Sequence, residues 1–215
     1  TGELGSGMVD MPAARRYNQP RWSKTCVAID ASCQLWSEIM AKRPIVTAED
    51  PRLRTKSKRV THFGDALKAL VDDMFESLHA ANGLGLAAPQ IGVMQRVFVI
   101  EMPAEYDEDG HEVEPTRRYV LVNPEIVKRR GEEEMDEACL SVPGYRGLVK
   151  RATQVTIKGQ DVRGKPVRYR GEDLLAQAFQ HELDHLDGIL YLDRLESPDK
   201  LWRVDVTEAA EAAEP

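Results

Sequence analysis

The 215-residue chain is long enough for one substantial globular core with a small accessory segment, and 42% of its residues are hydrophobic. Its formal net charge of -7 argues against broad, sequence-independent binding to nucleic-acid phosphates, although a local basic patch is compatible with that charge. No apolar run has the roughly 18 residues of a membrane span and no secretory signal is visible, so we expect an intracellular protein without a membrane partner.

The first part of the sequence, residues 1–45, is predicted to be a partly flexible extension. Residues 11–24 carry four basic side chains and no acid, which is typical of a flexible basic arm and less often of an organelle-targeting segment. We place the main domain at 46–196 and a C-terminal tail at 197–215.

A first amphipathic helix is predicted from Thr61 to Asn82. Its apolar residues recur at intervals of three and four, and they are Phe63, Leu67, Leu70, Val71, Met74 and Leu78. Gly83 follows at the position where a helix C-terminal stop is expected.

Five short runs rich in β-branched and aromatic residues then predict strands, at 96–102, 118–124, 126–129, 153–159 and 166–170. Turn signals accompany these runs, among them Asn123-Pro124. Two acidic stretches lie between them. We interpret residues 105–114 as a solvated hairpin loop and residues 132–137 mostly as a solvated turn.

A second helix is predicted from Glu172 to Asp187, with Gly188 as its stop. Its apolar side comprises Leu174, Leu175, Ala178, Phe179, Leu183 and Leu186. Because the strands cluster between two helices instead of alternating with them, this order favours an α+β fold over a doubly wound α/β fold. We expect mostly antiparallel sheets packed around a central helix, with the first helix on the N-terminal side.

The most informative motif is His-Glu-Leu-Asp-His at residues 181–185, within the second helix. Four residues advance a helix by about 400°, so His181 and His185 project from one face and can bind a single metal ion. Glu182 lies about 100° round the helix, where its carboxylate can take a proton from a water on that ion. The plain alternative is a pair of structural helix histidines.

A catalytic metal site needs a third protein ligand and an open coordination position. No histidine follows His185, and Glu208 and Glu211 stay open as downstream ligands. Cys139 is the upstream candidate, because a thiol beside a divalent cation loses its proton and becomes a soft anionic ligand. Spacing alone does not bring Cys139 to the helix, and a lone cysteine is most often a small buried hydrophobe.

Three segments of the sequence together resemble the peptide deformylase family. They are GLGLAAPQ at 83–90, EACLS at 137–141 and QHELDHLDG at 180–188, in the order and spacing of that family. The resemblance covers residues 45–195 and implies that 46–196 is the catalytic domain. One position departs from the family pattern, since Ala138 stands where glycine is usual. Its methyl group demands an ordinary backbone conformation and slightly more room, and it leaves the ligand and oxyanion roles intact.

The resemblance implies a metallohydrolase that removes the formyl group from the N-terminal formylmethionine of newly synthesised polypeptides and releases formate. Its partner would be the nascent chain near the ribosome exit. Cys139, His181 and His185 would bind one divalent ion, Fe2+ in the native enzyme, with Zn2+, Ni2+ or Co2+ as substitutes. We expect the bacterial cytoplasm as the compartment, with an organelle as the alternative.

The resemblance also implies roles for the residues around the ion. Glu182 would act as general base and then as general acid, and Gln90 with the backbone N–H of Leu140 would stabilise the oxyanion. Gly85 would let the chain pass close to the substrate. The apolar residues available for a methionine side-chain pocket are Leu84, Leu174 and Ala178, each equally well explained as plain core.

Two rival hypotheses remain. A zinc endopeptidase uses the same helix motif with a different third ligand. A non-catalytic protein would instead use a closed metal site for stability alone, although such sites normally have four protein ligands. The three cysteines, an odd number without a pairing pattern, favour a reducing compartment.

Overall fold

The structure is a computed structural model, and it describes residues 42–107 and 109–204. The predicted basic arm at 11–24 and most of the predicted C-terminal tail therefore lie outside the described residues, as do Glu208 and Glu211. No helix within the described residues combines the length and the apolar composition needed to cross a bilayer.

Two α-helices, ten strands and four short 3-10 helices make up the regular structure of the described residues. The helices are α1 (Asp65–Ala80) and α2 (Asp173–Asp187). The strands in chain order are β1 (Gly85–Ala87), β2 (Val97–Met102), β3 (Glu105–Tyr106), β4 (Glu112–Glu114), β5 (Arg117–Arg130), β6 (Glu133–Ala138), β7 (Tyr145–Arg151), β8 (Gln154–Gln160), β9 (Pro166–Glu172) and β10 (Leu201–Arg203).

The strands form three sheets within the described residues. The largest has the order β1-β2-β5-β8-β9, a second has the order β10-β7-β6, and β3 pairs with β4. Every pair of these strands is antiparallel. The predicted α+β class with mostly antiparallel sheets is confirmed.

Helix α1 packs against β1 and β2 with the apolar face that the sequence predicts. The residue that ends the helix in the left-handed conformation is Asn82, with φ 49°, and not the glycine after it. Gly83 donates its N–H to the Leu78 carbonyl. A Cβ on Gly83 would lie 2.7 Å from Leu140 Cδ1 and 2.8 Å from Leu78 Cδ1, so this glycine is needed for close packing instead.

Helix α2 packs against β1, β2, β8 and β9 of the large sheet. Phe179 is fully buried there and contacts the rings of Phe98 and Tyr119 at centroid distances of 6.3 Å and 5.6 Å. Gly188 ends the helix with φ 78°, as predicted. Of the six residues predicted on the apolar side, Leu174 differs, because 48% of its surface is exposed.

Strand β5 joins two runs that the sequence predicts as separate strands. Asn123-Pro124, interpreted as a turn, lies inside it at a shift in register against β8. Asn123 has φ 54°, and its side chain accepts from the Val60 N–H at 2.8 Å and donates to the Val60 carbonyl at 2.9 Å. Asn123-Pro124 therefore produces an irregularity within strand β5, and the contacts with Val60 stabilise it.

The acidic stretches have different outcomes. In the stretch predicted as a solvated hairpin loop, Glu105–Tyr106 pairs antiparallel with Glu112–Glu114, so a hairpin is present and part of it is strand. The prediction of a solvated turn at 132–137 is wrong, since Glu133–Ala138 is a strand paired with β7. This strand lies at the edge of its sheet and most of its side chains are exposed, so it lacks the apolar alternation that identifies a strand in a sequence.

We expect Phe179→Ala to lower the free energy of unfolding by about 3–5 kcal/mol, because it leaves a cavity where α2 packs on the sheet. The matched control is Leu174→Ala on the same helix, where the side chain is 48% exposed and the expected change is within about 0.5 kcal/mol. Urea denaturation followed by circular dichroism measures both values, and equal losses would contradict this packing.

Candidate metal centre

Two side chains of helix α2 and one cysteine lie close together at the end of strand β6. His181 and His185 lie one turn apart on α2, and their ring centroids are 4.9 Å apart. Cys139 follows β6 directly, and its Sγ lies 3.3 Å from His185 Nε2. One potential ligand atom from each of the three residues lies within 4.8 Å of the others. The tertiary structure thus brings together residues whose proximity sequence spacing leaves open.

The electrostatics of the cluster favour a thiolate. Burial by itself would raise the pKa of the Cys139 thiol, but the adjacent imidazoles of His185 and His181 bring that pKa well below its ordinary value. A thiolate with two imidazoles is a donor set that suits divalent transition metals such as iron and zinc. The three residues therefore fit a divalent ion chemically as well as spatially.

Glu182 is almost fully buried beside this cluster, with 4% of its surface exposed. Its Oε2 atom has no hydrogen-bond partner among the described residues, and burial raises its pKa to about 7. A Cβ on Gly85 would lie 2.5 Å from Glu182 Oε1, so only glycine lets strand β1 pass this close to the carboxylate. The side chain is thus held next to the ligands with one oxygen available.

Gln90 approaches the cluster from a short 3-10 helix, Ala88–Ile91. Its Oε1 accepts from the Ala87 N–H at 2.8 Å, which orients its amide nitrogen towards the site. That Nε2 donates to Ser141 Oγ at 3.2 Å and lies 3.7 Å from Cys139 Sγ. The N–H of Leu140 has no backbone acceptor among the described residues, so a second donor is available there.

A buried ion network behind His181 is absent from our sequence predictions. Glu137 Oε2 lies 2.9 Å from His181 Nδ1, and Arg151 donates to both oxygens of Glu137, at 2.6 Å and 2.9 Å. Arg151 also donates to Asp184 of α2 at 2.7 Å. Burial would raise the pKa of Glu137, but the hydrogen bonds from His181 and Arg151 bring it to about 2.

Part of this network has a signal in the sequence. Glu137 precedes the cysteine by two residues, and Asp184 lies inside the histidine motif, so both could have been proposed as supports for the ligands. Arg151 is one arginine among many on the strands, and no local pattern marks it.

The residues predicted to line a methionine pocket lie in different environments. Ala178 is buried in the apolar cluster between α2 and the large sheet, and Leu84 is partly buried against that cluster. Leu174 is exposed near the start of α2. The alternative downstream ligands, Glu208 and Glu211, lie outside the described residues.

Comparison with known proteins identifies the family of this chain. A family model described as polypeptide deformylase matches residues 42–201. The chain belongs to the polypeptide deformylase family. A peptide deformylase from Thermomicrobium roseum is 45% identical over 176 residues, which cover 81% of this chain and 98% of that protein.

Solved structures of deformylases agree with the fold. A peptide deformylase from Legionella pneumophila is 43% identical, with a TM-score of 0.65, and the match covers 81% of this chain and all of that one. A Met-Ala-Ser-bound class I type b peptide deformylase from Acinetobacter baumannii is 31% identical, also with a TM-score of 0.65, over 73% of this chain and 99% of that one.

Membership of the deformylase family establishes the reaction. The chain is a hydrolase that removes the formyl group from the N-terminal methionine of nascent polypeptides. The family is metal-dependent, and the Cys139, His181 and His185 group is a candidate for the metal site.

We expect Arg151→Met to lower the free energy of unfolding by about 3–5 kcal/mol, because Glu137 would stay buried without a guanidinium partner. Asp184 would lose one of its two arginine partners and keep Arg194. Arg146→Met is the matched control on the same strand. Arg146 pairs with Asp136 at the surface, so its removal costs less than about 1 kcal/mol. Denaturant melts of the two metal-loaded variants measure the difference, and similar costs would contradict the role assigned to the buried network.

Proposed function

We propose that Cys139, His181 and His185 hold one divalent ion, with Fe2+ as the native metal and Zn2+, Ni2+ or Co2+ as substitutes. The observation that carries this proposal is the convergence of three ligand atoms within 4.8 Å beside a buried carboxylate oxygen that has no other partner in the described residues. When bound, the ion would act as a Lewis acid and lower the pKa of a water.

Glu182 acts as the proton carrier of the reaction. It takes the proton that the attacking water gives up and transfers it to the departing nitrogen, so that amide and water yield formate and a free amine. A pKa of about 7, raised by burial, suits a group that must first accept and then donate a proton near neutral pH. Its unpartnered oxygen is available for this transfer.

Gln90 and the Leu140 N–H stabilise the charge that develops on the formyl oxygen. Gln90 is prepared for this role because its Oε1 is already held by the Ala87 N–H, which leaves Nε2 directed at the cluster. Donors fixed before the reaction cost no reorganisation when the oxyanion forms. The two groups approach the site from different segments.

The substrate peptide binds as an added strand along β1. This strand lies at the edge of the large sheet, and Gly85 on it passes next to Glu182. An extended peptide can bond to a free strand edge through its main chain, which gives affinity without strict sequence preference. Leu84, Leu174 and Ala178 would contact the methionine side chain, and of the three Leu174 is the most exposed.

The remaining assignments concern organisation and location. We propose that 46–196 is the catalytic domain, flanked by the 1–45 extension and the 197–215 tail. The enzyme would meet its nascent substrate near the ribosome exit in the bacterial cytoplasm. An organelle is the alternative compartment.

The first test of the mechanism is formate release from formyl-Met-Ala by anaerobically prepared, iron-loaded protein. We expect Glu182→Ala to lower turnover by about 100- to 10,000-fold, the usual contribution of a general base or acid, with the metal still bound. Glu172→Ala, an exposed glutamate at the start of the same helix, should keep its activity. Retained turnover in Glu182→Ala, or loss of the metal, would contradict the assigned role.

The second test addresses the ligands. Cys139→Ala should lose both the bound metal and hydrolysis, because two imidazoles alone hold a divalent ion weakly. His79→Ala is the control, since His79 contacts Glu101 at the surface, and it should retain one ion per chain by elemental analysis. If Cys139→Ala keeps its metal and its activity, another residue is the third ligand and the endopeptidase-like arrangement is favoured.

A further inference from the structure

One face of the large sheet carries a concentration of positive charge that the reaction does not use. This basic face lies on the outer side of β5, β8 and β9. It comprises Lys128, Arg130, Lys158, Arg168 and Arg170, all exposed. The formal charge of -7 does not reveal this feature, because it is a sum over the whole chain.

The strand register explains why these residues share a face. Val155 and Ile157 of β8 are buried on the inner side, where α2 packs. Alternate residues point to the opposite side, and Thr156 between them pairs with Lys128 on β5 and with Arg170 on β9. The basic face therefore lies on the side of the sheet opposite to α2, away from the candidate metal centre.

The positive charge of this face is only partly neutralised. Lys158 pairs with Glu125 at 3.0 Å, and Arg170 pairs with Glu172 at 2.7 Å. The other three cations of the face have no carboxylate partner among the described residues. Lys128, Arg130 and Arg168 are thus available to an external anion, and they give the face a net positive charge.

The basic face also contains a shallow depression whose side chains suit a phosphate group. A shallow depression of about 80 Å³ is lined by Lys128, Arg130, Gln154, Val155, Thr156 and Arg170. Three cations, a hydroxyl and an amide surround it, and such donors suit phosphate oxygens. The unpaired cations also extend across three neighbouring strands, roughly 10 Å at the usual strand spacing, which is wider than one phosphate.

We propose that the basic face binds the phosphate backbone of RNA. A chain of regularly spaced phosphates matches both the depression and the unpaired cations beside it, and backbone contacts of this kind need no base recognition. The choice of RNA among polyanions rests on the proposed function, since nascent polypeptides are presented on a particle rich in RNA. Of the large apolar side chains on β5, β8 and β9, Val127 alone is exposed, at 38%, and a membrane-surface site would present more apolar area than this.

The position of the basic face is compatible with catalysis during RNA binding. It occupies the middle strand β5 and the two strands beyond it, β8 and β9, whereas β1, the proposed strand for the substrate peptide, forms the opposite edge. RNA on the outer side would leave that edge accessible. Binding would then raise the local concentration of the enzyme near its substrate without a change in the chemical step.

The test compares two triple variants of the full, metal-loaded chain by fluorescence anisotropy with a labelled RNA hairpin over a range of salt concentrations. One variant combines Lys128→Ala, Arg130→Ala and Arg168→Ala. The control combines Lys58→Ala, Arg59→Ala and Arg203→Ala, which removes the same charge from exposed positions outside the basic face. Release of formate from a short formyl peptide is measured for both.

We expect the first variant to bind RNA at least about tenfold more weakly than the unmodified chain. The slope of log K against log salt should also become shallower by about 2–3, because three phosphate contacts are lost. The control should stay within about twofold of the unmodified chain. Equal losses in both variants, or binding to phosphatidylglycerol vesicles without binding to RNA, would overturn the proposal. Short-peptide turnover does not need RNA, so its absence in the unmodified chain would instead contradict the proposed function.

Discussion

The buried guanidinium of Arg151 joins the three-stranded sheet β10-β7-β6 to helix α2. It donates to Glu137 on β6 and to Asp184 on α2, and Glu137 in turn contacts the ring of His181. Buried charges are costly unless each has a partner, so these residues stabilise one another in this arrangement. Because Cys139 follows Glu137 by two residues, the same interaction fixes the distance between the cysteine and the two histidines.

A second constraint comes from the close approach of β1 to the same helix. Gly85 leaves room for Glu182, which is held beside the ligand cluster without a partner for one of its oxygens. The strand that is proposed to align the substrate therefore passes directly by the carboxylate that is proposed to move the proton. Substrate alignment and proton transfer would depend on one contact between a sheet edge and a helix.

Much of the fold follows from local sequence patterns. Where the sequence predictions differ from the structure, the difference has an identifiable physical cause. Both helices show a periodic apolar face, and Gly188 ends α2 as predicted. The sequence does not predict strand β6, because an exposed edge strand rich in acidic residues has no apolar alternation. The Asn123-Pro124 dipeptide predicts a turn, whereas contacts with Val60 stabilise the left-handed Asn123 within a strand.

The sequence by itself determined the residues of the candidate site, because the helix period places His181, Glu182 and His185 together and three ordered motifs indicate the family. Only the tertiary structure decided that Cys139 reaches those histidines and that Arg151 supports them. The reason is physical. Helix geometry is set by neighbouring residues, whereas contacts between distant segments depend on the burial of charges and side chains across the whole fold.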